Sequence, residues 1–109
     1  MEYLKQGDLI MVNFNPAKGH EQAGYRPALI VSNNDFNKLC NGICKIVPIT
    51  SKNKDFPLNM DLPDNLEIHG QVLLSQERTI DLKFRPYKKV GKVPSNFIKE
   101  VVERIIFTY

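Results

Sequence analysis

From Asp8 to Val93 the apolar residues come in short runs, each closed by turn formers, and the spacing changes only beyond Pro94. Runs this short are too brief for stable helices and bury their apolar side chains by pairing edge to edge, so the chain is constrained towards a sheet. Asp8 to Asn15 (DLIMVNFN) reads as a first strand, stopped by Asn15-Pro16. Lys18 to Tyr25 is a polar loop with Gly19 and Gly24 as flexible points, and Pro27 to Ser32 (PALIVS) is a buried strand. Asn33 to Leu39 forms a helical turn, with Asn33 or Asn34 as its cap and Phe36 and Leu39 on one side. Ile43 to Thr50 (ICKIVPIT) is a third strand, in which Pro48 calls for a sheet edge or a bulge.

Ser51 to Pro57 is a lysine-bearing loop, Leu58 to Leu62 a fourth strand, and Pro63-Asp64-Asn65 a turn; Gly70 to Leu74 and Tyr87 to Val93 supply a fifth and a sixth strand. After Pro94, Ile98, Val101, Val102, Ile105 and Ile106 fall on one face of a helix for which Ser95 is the expected N-cap. Short strands, many turns and one terminal amphipathic helix describe a mainly β barrel sealed by a helix, in a single domain over residues 1–109.

A chain of 109 residues has room for one core, so a partner surface that buries more apolar area would help it. With 42% hydrophobic and 25% charged residues it reads as an ordinary folded domain, not a disordered one. The formal charge is only +3, but Lys83, Arg85, Lys88, Lys89, Lys92 and Lys99 follow one another with no acid after Lys83 until Glu100. Such a cluster attracts a phosphate backbone or forms a solvated basic face; both readings stay open. Cys40 and Cys44 flank Asn41-Gly42-Ile43 with His20 and His69 far off, a poor zinc pattern, and free thiols suit a reducing cytoplasm. The N-terminus lacks the apolar stretch of a secretory signal, and no run approaches the length that spans a bilayer.

Nucleotide-binding glycine motifs, a GxSxG elbow and an HExxH pair are all missing from the sequence. What remains is the loop Gly19-His20-Glu21-Gln22-Ala23-Gly24-Tyr25-Arg26, which gathers an imidazole, a carboxylate, an amide and a guanidinium. Pro27 biases Arg26 to an extended backbone, anchoring that guanidinium at the rigid end of the loop. Glu21 and Arg26 form either a surface pair or part of a site.

Gly7-Asp8, Phe14-Asn15-Pro16 and GHEQAGYRPALIVSN (Gly19 to Asn33), followed by Val47-Pro48-Ile49-Thr50-Ser51, His69-Gly70-Gln71-Val72 and Arg78-Thr79-Ile80-Asp81, resemble the MazF/PemK toxins over nearly the whole chain. The resemblance implies an SH3-like (PemK/CcdB-like) barrel with short connecting helices and a homodimer. It also implies a type II toxin that cuts single-stranded mRNA without a metal or other cofactor, leaving a 2′,3′-cyclic phosphate and a 5′-hydroxyl. In that reaction the ribose 2′-OH attacks its own phosphorus, so the protein needs only to align it, move protons and stabilise added charge.

Matched residue by residue, Arg26 is similar to the family's catalytic arginine and Thr50 to its catalytic threonine. A guanidinium can bridge two phosphate oxygens and stays protonated, so Arg26 suits charge stabilisation and proton donation to the leaving oxygen. Glu21 and His20 are the candidates for taking the 2′-OH proton, His20 having the better intrinsic pKa. Asn15, Lys18, Gln22, Ser51, Gln76, Arg78 and Arg85 are the expected RNA-holding residues, amides and hydroxyls reading base edges and cations following the backbone. Tyr25 and Phe56 either stack on bases or pack against loops, and Asp81 is expected to pair structurally with Arg78. Ser75 stands where several relatives carry an acid, and Leu73 where some carry a charge, which shifts weight to Glu21, Arg26 and Thr50.

The family likeness further implies a cognate antitoxin whose disordered acidic tail covers the RNA groove; Lys83 to Lys92 and the His20 to Arg26 loop suit it. Two other classes compete: a gyrase poison built on the same barrel, and an RNA-binding barrel that does not cut. The gyrase poison depends on a tryptophan near its C-terminus, whereas this chain has no Trp and ends Ile106-Phe107-Thr108-Tyr109.

Overall fold

Alternation governs every strand of the sheet, and it sends apolar side chains to both faces. The computed structural model describes residues 3–14 and 24–109. In chain order the elements are β1 (Asp8–Asn13), β2 (Tyr25–Ile30), α1 (Asn34–Leu39), β3 (Ile43–Thr50), β4 (Asn59–Asp61), β5 (Gln71–Leu73), β6 (Arg78–Asp81), β7 (Tyr87–Lys92) and α2 (Ser95–Phe107). The strands are ordered β4-β5-β3-β2-β1-β7, with β6 on β3 beside β5, and the pairings are antiparallel. This is the mainly β architecture with a terminal helix that the sequence suggests. Strand β6 is an addition to that reading, and Leu74, read as the end of the fifth strand, instead opens a 3-10 turn over Leu74–Gln76.

One face of the sheet carries Leu9, Leu29, Val47, Ile49 and Val72, covered by Phe97, Ile98, Val101 and Ile105 of α2. Burying each of those four helix side chains contributes about 1.5–3 kcal/mol. The other face carries Ile10, Val12, Ala28, Ile30, Cys44, Ile46 and Ile80, with Leu82, Leu4 and Phe14 packed into the same cluster. Successive residues of one strand thus enter different cores, which is why PALIVS reads as a continuous apolar run rather than an alternating one.

Four expectations need correction. Pro48 is at neither an edge nor a bulge: β3 is interior, pairing with β2 on one side and with β6 and then β5 on the other. The β6 ladder ends at Ile46 and the β5 ladder begins at Ile49, so residues 47 and 48 face a gap between them. Val31 N donates to Lys45 O, so the polar groups of Lys45 and Val47 point to β2 and those of Pro48 point away, into the gap. A residue without an N–H fits there at no cost in ladder bonds.

Ser95 is not the cap of α2. Pro94, extended at ψ 153°, is the N-cap, and its carbonyl accepts from Phe97 N (3.0 Å) and Ile98 N (3.2 Å), leaving Ser95 already helical. Ile106 faces solvent, because the buried stripe runs through residues 97, 98, 101 and 105 and Val102 marks its edge. In α1 the buried residue is Asn37, while Leu39 is 85% exposed. Asn37 Nδ2 donates to Leu4 O (2.9 Å) and Ser32 O (3.2 Å), and its Oδ1 accepts from the Ser32 hydroxyl, so main-chain demand overrode apolar content here. The helix is capped by Asn33, whose Oδ1 accepts from Phe36 N at 2.7 Å.

Candidate nucleic-acid interface

Arg26 and Thr50 come from neighbouring strands. The β2–β3 ladder ends at Ala28 and Pro48, and Arg26 and Thr50 each lie two residues beyond that end on their own strand. Both are an even number of residues from Ala28 and Cys44 along their strands, so both continue the face that holds Ile10, Ile30 and Ile46. Arg26 is exposed and Thr50 half-buried, so solvent reaches the site. The Arg26 guanidinium donates to Tyr25 O at 3.2 Å.

The main chain at Thr50 is tightly set. Gly70 approaches it with φ +136°, and a Cβ on Gly70 would overlap the Thr50 carbonyl oxygen. Only glycine accommodates both the angle and the approach. The Thr50 hydroxyl accepts from Lys52 N at 3.2 Å, which turns the chain into the 51–57 loop. Between that loop and the 3-10 turn lies a cleft of about 440 Å³ whose lining includes Thr50, Lys54, Phe56, Asn59, Ser75 and Gln76. Phe56 is 50% exposed, so its ring is available for stacking on a base. Asp55 supplies the carboxylate of this cleft, Ser75 contributing a hydroxyl. Leu73 lines the same cleft.

A second group of cations sits where β1 ends. The Arg78 guanidinium lies 5.1 Å over the Phe14 ring, and Arg85 Nη1 donates to Phe14 O at 2.6 Å. Phe14 N donates to Gly24 O at 3.1 Å, so these contacts brace the two ends from which residues 15–23 depart. A Cβ on Gly24 would overlap Asn13 Oδ1, so a side chain there would displace the Asn13 amide.

Of the expected site residues, Arg26 and Thr50 share one sheet face, and Gln76 joins Thr50 in the cleft. Arg78 belongs to the same face by alternation with Ile80. Ser51 lines an adjoining polar hollow with His69 and Gln71 instead. Arg85 is committed to the main chain at Phe14. Tyr25 is half-buried and begins β2 opposite Asn13. Asn15, Lys18, His20, Glu21 and Gln22 lie outside the described residues. The expected Arg78–Asp81 pairing gives way to other contacts: residues three apart on a strand point to opposite faces, and Asp81 accepts from Lys83 N at 3.0 Å.

Sequence reasoning overlooked Phe14, Lys54, Asn59 and Gln71 as parts of this surface. A signal existed for the last two. Asn59, Asp61 and Gln71 are polar positions on paired strands that otherwise bury Met60 and Val72, and they mark a wet face. Among the described residues, no three His, Cys, Asp or Glu side chains gather where they would hold a metal ion. No helix there is long and apolar enough to cross a membrane.

Residues 5–108 match the family model described as PemK-like, MazF-like toxin of type II toxin-antitoxin system. The chain belongs to that toxin family. It is 36% identical over 110 residues to the endoribonuclease toxin ChpB of Escherichia coli K12, covering 94% of this chain and 90% of that one. Identity to Escherichia coli endoribonuclease PemK is 34% over 107 residues, covering 94% and 79%. In three dimensions this MazF-like toxin matches a chain of the MazE-MazF crystal structure (Form-II) from Deinococcus radiodurans. The TM-score is 0.83 at 27% identity, with 99% of this chain and 96% of that chain covered.

Proposed function

We propose that this PemK/MazF-family toxin is a metal-independent endoribonuclease that acts in the cytoplasm on single-stranded RNA. The placement of Arg26 and Thr50 on one solvent-reached sheet face, each two residues past the same end of the β2–β3 ladder, supports the reading, since the reaction needs a guanidinium and a hydroxyl converging on one phosphate. The 2′-oxygen forms a bond to the adjacent phosphorus while the bond to the 5′-oxygen breaks. The 2′-OH proton passes to Glu21 or His20, and the leaving 5′-oxygen takes a proton from Arg26. Arg26 and the Thr50 hydroxyl offset the negative charge that builds on the non-bridging oxygens. Phe56, Gln76, Arg78 and the cations of β7 hold the strand on either side.

The named activities of ChpB and PemK support the reaction class. The MazE-MazF complexes support a cognate antitoxin as partner, and the exposed basic segment from Lys83 to Lys92 suits an acidic tail. A homodimer accounts for Ile106 and Phe107, which are 62% and 88% exposed. The experiment is to sequence both ends of RNA fragments produced by the purified protein. Cuts within one short motif, with cyclic phosphate and 5′-hydroxyl ends, are expected. Intact RNA would overturn the catalytic reading, and 5′-phosphate ends would overturn internal attack.

A further inference from the structure

Residues 51–57 are all exposed, so apolar burial does not hold this loop, yet Lys54 and Phe56 on it line the cleft beside Thr50. What fastens it is Gln71, 6% exposed, on β5 directly across from Thr50. Gln71 Oε1 accepts from Lys54 N (3.1 Å) and Asn59 Nδ2 (3.3 Å). Its Nε2 directs two hydrogens, one of them shared, at Lys54 O (3.1 Å), Asn53 Oδ1 (3.1 Å) and Asp61 Oδ1 (2.9 Å). One buried amide therefore satisfies both main-chain groups of Lys54 and ties the loop to β4 and β5. A network of this kind selects one conformation because every alternative leaves a buried polar group unpaired.

We propose that Gln71 is a positioning residue: it holds the 51–57 loop in the shape that receives RNA and so sets substrate affinity without touching the reacting phosphate. The inference rests on the ribonuclease reading above. The Thr50 main chain is fixed separately, by its pairing in the β3–β5 ladder and the close approach of Gly70, so loosening the loop around Lys54 leaves that strand end and the chemical step in place. Affinity falls in proportion to the fraction of molecules whose loop is correctly placed, and kcat at saturation does not.

The test uses the full chain and a fluorogenic single-stranded oligoribonucleotide bearing the sequence that the wild type cuts. Gln71→Met keeps length and removes the amide. KM is expected to rise about tenfold with kcat within a factor of about two. The Lys54 amide should exchange with solvent faster than in the wild type. An unchanged KM, an equal loss in kcat, or unchanged Lys54 exchange overturns the positioning role.

Should Gln71→Met not fold, Asn53→Ala combined with Asp61→Ala removes two exposed partners of Nε2 and leaves the core whole. Losing the Asp61 charge would by itself favour RNA, so a rise in KM reports the loop and not the charge, and a KM that stays or falls overturns the role. A wild type that cuts no RNA overturns the catalytic reading and this inference together. A cutting wild type whose variants keep their KM overturns this inference alone.

Discussion

Gly70 lies so close to Thr50 that a single added methyl group would overlap the Thr50 carbonyl oxygen. Neither residue has room to yield, because Thr50 is paired through β3 with Gln71, the neighbour of Gly70. Gly70→Ala should therefore cost roughly 2–4 kcal/mol of stability, from the strained φ and the displaced strand. Denaturant unfolding would measure it. In the fraction that stays folded, RNA cleavage should fall more than for an alanine elsewhere in the 66–70 turn.

Arg26→Ala should lower RNA cleavage by about 10²–10³-fold while leaving the unfolding midpoint unchanged, as the side chain is exposed. Arg26→Lys should recover only a small part, since an ammonium cannot bridge two phosphate oxygens. Single-turnover cleavage rates decide this, and near-normal rates in Arg26→Ala would remove the residue from the mechanism.

The internal-attack chemistry makes two demands on the substrate and the buffer. An oligonucleotide with 2′-deoxyribose only at the scissile position should remain intact under conditions where the all-ribose strand is consumed. Activity should survive an excess of EDTA. Cleavage of the deoxy analogue, or loss of activity in EDTA, contradicts the scheme.

Most of the architecture could be read from the sequence because apolar alternation and turn residues report strands directly. The readings of Ser95 and Leu39 fail for a common reason. Pattern counts the apolar residues on an element but not the main-chain groups that its neighbours must satisfy, and those groups bury Asn37 and make Pro94 the cap. Arg26 and Thr50 stand out only through family likeness, while the bonding of Gln71 is hidden because its partners Asn53, Lys54, Asn59 and Asp61 are scattered along the chain. Arg78 with Asp81 shows the opposite error, a spacing that pairs side chains on a helix applied to a strand.

Asn37→Leu should destabilise the fold by about 2–4 kcal/mol although it makes the interior more apolar. The change strands the Leu4 and Ser32 carbonyls and the Ser32 hydroxyl without their amide partner. Asn37→Leu proving neutral in thermal unfolding would show that water replaces the lost bonds.

Burial pushes the Cys44 thiol up from 9.0 to about 11, with the Ser32 hydrogen bond working in the opposite direction. The folded state thus holds this proton more tightly than the unfolded chain. The resulting contribution to stability is complete below pH 9 and is lost as pH rises from there through 11. Between pH 8 and pH 10.5 the wild type should lose more stability than Cys44→Ala, a comparison that cancels the lysines and tyrosines. At pH 8 the native protein should also react with iodoacetamide at Cys40 well before Cys44.

The gap at Pro48 bears on how the sheet finds its alignment during folding. Sliding β3 by one residue along β2 would rotate the proline nitrogen inward, where β2 would meet a ring instead of a donor, and would exchange the contents of the two cores. A misaligned sheet is thereby penalised twice over, and a proline whose ring faces a gap in the ladder helps set where Arg26 and Thr50 stand at the end of two adjacent strands.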